Sequence, residues 1–134
     1  MREDPLRTGQ KSGPPPPRRG AARVLLHLAD ENATVTLGAR LAAVLGVGDT
    51  VLLRGPLGAG KSTLARAIIR GILGDTEVDI PSPSYTLVNV YGVHDDAVRP
   101  VEVWHADLYR LASADEAYEL GLDEAFATAL VLVE

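Results

Sequence analysis

From Gly55 to Thr63 the sequence reads GPLGAGKST, which matches the spacing G-x-x-x-x-G-K-[ST] at every defined position. Each residue type in that pattern has a physical task. Gly55, Gly58 and Gly60, with Ala59 between the last two, let the backbone curl so that successive N–H groups point inward at phosphate oxygens. A helix that follows such a loop adds its positive N-terminal end. Lys61 reaches the β and γ phosphates, the Ser62 hydroxyl completes the coordination of Mg²⁺, and Thr63 closes the binding segment. The chemistry implied is binding of a nucleotide triphosphate with its metal.

Hydrolysis needs carboxylates as well, and in phosphate-loop folds an acidic residue at the end of a neighbouring apolar strand usually holds the metal. Glu134 follows the apolar run ALVLV, and Asp107 follows VEVWHA. Glu134, after the cleaner strand, is expected on the metal side; Asp107 either shares that site or orients the attacking water. His105 lies two residues before Asp107, on the same face of a strand. As a lone histidine beside Trp104 it is assigned no role, and His27 and His94 carry still less signal. The hydroxyl-rich SPSYT, Ser82 to Thr86, reads either as a sensor of the γ phosphate, through Ser84 or Thr86, or as a rigid turn feeding a strand.

These residues need elements to hold them. VLLHLA and TVLLR read as strands on either side of a helix, with Leu37, Leu41, Val44 and Leu45 on one face, Asn32 or Thr34 at its start and Gly46 or Gly48 at its end. STLARAIIRGIL reads as the helix after the loop, with a Leu64, Ile68, Ile72 stripe and Gly74 closing it. YTLVNVYGV and VRPVEVWHAD alternate as strands, joined by a turn at Asp95 and Asp96, and the short connection makes them an antiparallel pair beside a parallel sheet. Ser113 and Glu116 have capping-box spacing for a helix through DEAYEL that Gly121 ends; a short helix through LDEAFA and a buried strand, ALVLVE, follow. The fold class is α/β, a phosphate-loop NTPase-like, mainly parallel sheet with flanking helices and an antiparallel hairpin.

With 134 residues the chain fits one domain. Residues 1–23, with a four-proline run and few large apolar residues, are expected to form a disordered basic tail, and 24–134 the phosphate-loop domain. The tail holds six basic and two acidic residues and the remainder seven basic and sixteen acidic, so the globular part is strongly acidic. An acidic globule grips nucleic acid poorly by itself, so any action on nucleic acid is expected to go through a partner. Without cysteine there is no disulfide and no thiolate metal site. No apolar run is long enough to span a membrane, and charges and prolines stand where a signal peptide has its apolar region, so a cytoplasmic protein is expected.

GPLGAGKST, SPSYTLVNVY, HADLYRL, ELGLDEAF and VLVE occur in an order and spacing that resemble the TsaE family, the ATPase subunit of bacterial tRNA threonylcarbamoyladenosine synthesis. The resemblance covers Leu28 to Glu134. It implies a phosphate-loop ATPase, weak alone, working with TsaB and TsaD, which attach a threonylcarbamoyl group to the adenosine beside the tRNA anticodon. It implies ATP on the loop, Mg²⁺ on Ser62, metal and hydrolytic roles for Asp107 and Glu134 beside Lys61, and Glu31 and Thr34 near the adenine. The family continues past VE with Trp and Pro and further strands, so a C-terminally truncated domain is expected here. Two other classes remain open. A small metabolite kinase would need a basic acceptor site, for which the chain beyond the loop helix offers only Arg99 and Arg110. A nucleotide-dependent switch would bind ATP with negligible hydrolysis.

Overall fold

The computed structural model describes residues 20–92, 101–109, 111 and 113–134. The sequence builds an α/β fold in the order α1 (Glu31–Val44), β1 (Thr50–Leu52), α2 (Lys61–Leu73), β2 (Val88–Tyr91), β3 (Val103–Ala106), α3 (Ala114–Glu119), α4 (Leu122–Thr128) and β4 (Leu130–Val133). The strands form one mixed sheet in the order β1-β4-β3-β2. β4 pairs in parallel with β1 on one side and β3 on the other, and β2 runs antiparallel to β3, as the short connection predicts.

β4 is buried at all four positions because both faces of the sheet are covered. Leu130 and Leu132 point to the face packed by Ala65, Ile68 and Ile69 of α2. Val131 and Val133 point to the other, where Leu122 and Ala125 of α4 and Ala129 close the second cluster. The predicted α2 stripe serves this core: Ile68 is fully buried, Leu64 and Ile72 pack at its margin, and Gly74 caps the helix in the left-handed region at φ 69°.

α1 packs along α2 and sits closer than its leucines imply. Gly38 and Ala42 form its buried positions, and a Cβ added at Gly71 of α2 would lie 2.6 Å from Ala42 Cβ. Close approach rotates α1 so that Leu41 and Leu45 reach the core while Val44, expected on the same face, is 76% exposed.

Other local expectations are corrected. The N-cap of α1 is Asp30, whose carboxylate accepts from the Ala33 N–H at 2.8 Å, rather than Asn32 or Thr34. Leu45, in extended conformation, is its C-cap in place of either glycine. VLLHLA forms no strand: Val24 to Ala29 has no sheet partner among the described residues, and Leu25 is fully exposed. Ser113 does occupy the N-cap of α3, but its side chain makes no capping bond. Leu120 is the C-cap of α3, and Gly121 ends that helix as expected, in the left-handed region at φ 83°, while also serving as the N-cap of α4. Of the expected tail, residues 1–19 lie outside the described residues, as do the turn at Asp95 and Asp96, His94, Arg99 and Arg110.

Candidate functional site

Three elements end at one cleft of about 990 Å³. Its walls include Gly55, Leu57, Gly58 and Gly60 of the loop, Lys61, Ser62 and Thr63 of the first turn of α2, Ser82 and Ser84, and Asp107, Leu108, Tyr109 and Glu134 beyond β3 and β4. The site therefore lies past the carboxyl ends of parallel strands, where open α/β sheets characteristically bind ligands.

The loop from β1 to α2 owes its path to glycine. Gly58 and Gly60 take positive φ, 82° and 99°, and nothing stands within 4 Å of where a Cβ would be at either, so the backbone there faces open space. Gly60 is also the N-cap of α2 and has no side chain to offer the first-turn N–H groups. α1, with Asp30, satisfies such a donor internally; α2 leaves its positive end to whatever enters the cleft. Lys61 reaches back across the loop, its Nζ donating to the Gly55 carbonyl at 2.5 Å.

Opposite the loop, the sheet brings the two carboxylates together. Ala106 pairs with Val133 in the register, and the Glu134 N–H donates to the Ala106 carbonyl at 2.8 Å, so Asp107 and Glu134 leave adjacent strands side by side. The Ser62 hydroxyl donates to Glu134 Oε1 at 2.8 Å, joining residues far apart in sequence. Glu134 Oε2 lies 2.5 Å from His105 Nε2. A carboxylate has no hydrogen to give, so Nε2–H is the donor. The bond from His105 is the main cause that holds the Glu134 carboxyl below its ordinary range, with the Ser62 hydroxyl and the charge of Lys61 assisting and burial opposing. The group stands ionised and mostly enclosed, with 10% of its side chain exposed.

Asp107 is tethered differently. Its Oδ1 accepts from the Tyr109 N–H at 3.0 Å, and its own N–H donates to the Leu87 carbonyl at 2.8 Å. Leu87 has φ 66°, a strained left-handed conformation for a non-glycine residue, at the point where the SPSYT segment turns into β2. In that segment Ser82 and Ser84 share a hydrogen bond at 2.7 Å, whereas Thr86 bonds Asn89.

The structure thus gathers Gly55, Gly58, Gly60, Lys61, Ser62, Thr63, Asp107 and Glu134 at one cleft. Ala59 belongs to the loop but does not line the cleft, and Glu31 and Thr34, in the first turn of α1, are not among its walls. His105, passed over in the sequence, is 1% exposed and bonded to Glu134. The signal available was its place two residues before Asp107; which neighbour it would meet depended on the strand order.

Residues 28–134 match the family model described as threonylcarbamoyl adenosine biosynthesis protein TsaE. A Rickettsia felis protein named tRNA threonylcarbamoyladenosine biosynthesis protein TsaE is 40% identical over 110 residues, covering 82% of this chain and 61% of that protein. A protein of that name from Nostoc sp. is 40% identical over 98 residues, 73% of this chain and 56% of its own. Another, from Mycobacterium tuberculosis, is 42% identical over 107 residues, 75% of this chain and 61% of its own. The chain spans about three-fifths of the length of the curated relatives it matches first.

Proposed function

The chain belongs to the TsaE family, and from that premise we propose that it is a Mg²⁺-dependent ATPase subunit of tRNA N6-threonylcarbamoyladenosine synthesis, acting in a complex with TsaB and TsaD. The observation that carries the reading is the bond between the Ser62 hydroxyl and the Glu134 carboxylate, at the mouth of an α2 whose N-terminus has no internal side-chain cap. Parallel pairing of β1 and β4, with a glycine loop leading from β1 into α2, supports a phosphate-loop NTPase-like sheet.

The residues fit the groups this activity requires. Open backbone at Gly58 and Gly60 leaves room for phosphate oxygens against the first-turn N–H groups of α2. The Lys61 ammonium, now on the Gly55 carbonyl, exchanges that oxygen for phosphate. Among the described residues no group of three or more acidic, histidine or cysteine side chains is arranged for a metal. Mg²⁺ does not require one, since it commonly binds through one or two carboxylates, substrate phosphates and retained waters. Ser62 and Glu134 would hold it from the protein side, with Asp107 at the adjoining strand end. When bound, the ion neutralises charge building on the phosphate oxygens. Asp107, anchored through its Oδ1 to the Tyr109 N–H, orients the attacking water with the carboxylate oxygen that remains. The products are ADP and phosphate. RNA is held by the partners, consistent with the acidic balance of this chain.

ATP turnover of the full chain, alone and with TsaB and TsaD, tests the reading. Turnover should be weak alone, rise with both partners, be lost in Lys61→Ala, and be lost in Asp107→Ala with nucleotide binding retained. No stimulation by the partners together with undiminished turnover in Lys61→Ala would refute it. The hydrogen-bonded Ser82–Ser84 pair on the cleft wall favours one second reading, a nucleotide-dependent switch. That reading requires negligible turnover even in the complex and a nucleotide-dependent change in protection of this segment.

A further inference from the structure

We infer that His105 is a positioning residue: its imidazole holds Glu134 in the orientation that presents Oε1 to Ser62, and so sets the strength of the Mg²⁺ site. This deepens the function proposed above and rests on it. A glutamate at the end of a strand has several freely rotating bonds, and one hydrogen bond from a serine hydroxyl leaves most of that freedom in place. Here the two carboxylate oxygens are divided between partners on different elements, Oε1 to Ser62 of α2 and Oε2 to His105 of β3. Two points of attachment fix the carboxylate plane; one does not.

The ring is suited to act as the fixed point. His105 is 1% exposed, and it follows the fully buried Val103 by two residues, hence on the same face of β3. An aliphatic residue at 105 would continue that face at no cost in desolvation, yet the position carries an imidazole. Its Nδ1 has no hydrogen-bond partner, so Glu134 is the one polar anchor the ring has among the described residues. With the hydrogen on Nε2, Nδ1 is a bare lone pair and no buried N–H is left unmatched. Backbone pairing holds the two strands in register next to this contact, through the Glu134 N–H and the Ala106 carbonyl. Partners that orient a metal-ligating carboxylate typically change metal affinity by about 10- to 100-fold when removed.

Two variants separate positioning from packing. His105→Leu fills the space without a donor, and His105→Gln keeps an N–H at comparable reach. Binding of ADP to the full chain is measured in EDTA and across a Mg²⁺ series, with thermal melting to verify folding. In EDTA all three chains should bind ADP alike. His105→Leu should need about 10- to 100-fold more Mg²⁺ to reach the tighter-binding form, while His105→Gln stays close to wild type. An unchanged Mg²⁺ requirement in folded His105→Leu, or a His105→Gln as impaired as His105→Leu, overturns the inference. Should His105→Leu fail to fold, ¹⁵N spectra of the wild-type ring decide. A proton on Nε2 and a shift of that nitrogen on adding Mg²⁺ with ADP support positioning; a proton on Nδ1, or no response, overturns it. A wild-type chain that binds ADP equally with and without Mg²⁺ removes the ATPase reading itself, an outcome distinct from the failure of the variants.

Discussion

Glu134 accepts from one neighbour at each oxygen, and its protonation would remove the charge that both donors favour. Its carboxyl is held below the ordinary value of 4.5 in the folded chain, so the folded state binds that proton less readily than the unfolded state does. The resulting stability is complete above the ordinary carboxyl range and disappears as pH falls through the lowered value. In metal-free protein, Glu134→Gln should therefore melt below wild type at neutral pH, with the gap closing as the solution is acidified past 4.5. A constant gap from neutral to acid pH would show that the charge is not what stabilises. At this scale the sequence was most informative where a residue type has one use. Lys61, Ser62 and Glu134 were legible as members of one cleft, the first two from their spacing to the glycines and Glu134 because a carboxylate ends an apolar strand. His105 was not, since an imidazole is equally at home packed, exposed or bonded, and its partner arrives from a strand that is distant in sequence.

α1 and α2 meet through small residues, and the contact is set by what is missing from the side chains. A Cβ on Gly38 would clash with Ala67 Cβ and come within 3.2 Å of its backbone carbonyl carbon. Gly38→Ala sets a helix-propensity gain of about 1 kcal/mol against an overpacking cost of about 1–3 kcal/mol. Because part of the obstacle is backbone, the cost should prevail, and denaturant unfolding should report a net loss of stability. A stabilised Gly38→Ala would mean that the helices separate freely. Helix α2 was legible from its apolar period and its terminal glycine, both local properties. The rotation of α1 was not, because it depends on which small residues face each other across two helices. VLLHLA shows the same limit from the other side. Apolar composition marks a segment able to form a strand, but a strand exists only where another offers its N–H and C=O groups, and among the described residues no such edge meets Val24 to Ala29.

Over the whole molecule, the α/β class and the antiparallel β2–β3 pair followed from composition, alternation and a short connection. The order β1-β4-β3-β2 did not, because nothing local in LVLV states which two strands it will separate. That order makes β4 the member on which both hydrophobic clusters and the two carboxylates depend. A chain stopped after Ala129 should accordingly show no cooperative thermal transition in circular dichroism, even though α1 and α2 remain complete. A sharp transition in that chain would mean that the helical pair folds without the sheet. The arrangement also governs how the protein is made. β1 and β3 emerge from the ribosome before the strand that must lie between them. At about 5–20 residues per second, β1 waits several seconds with an apolar flank exposed. The cleft, for its part, comes into being only once β4 and the Glu134 that follows it have been translated and β4 has slotted between β1 and β3.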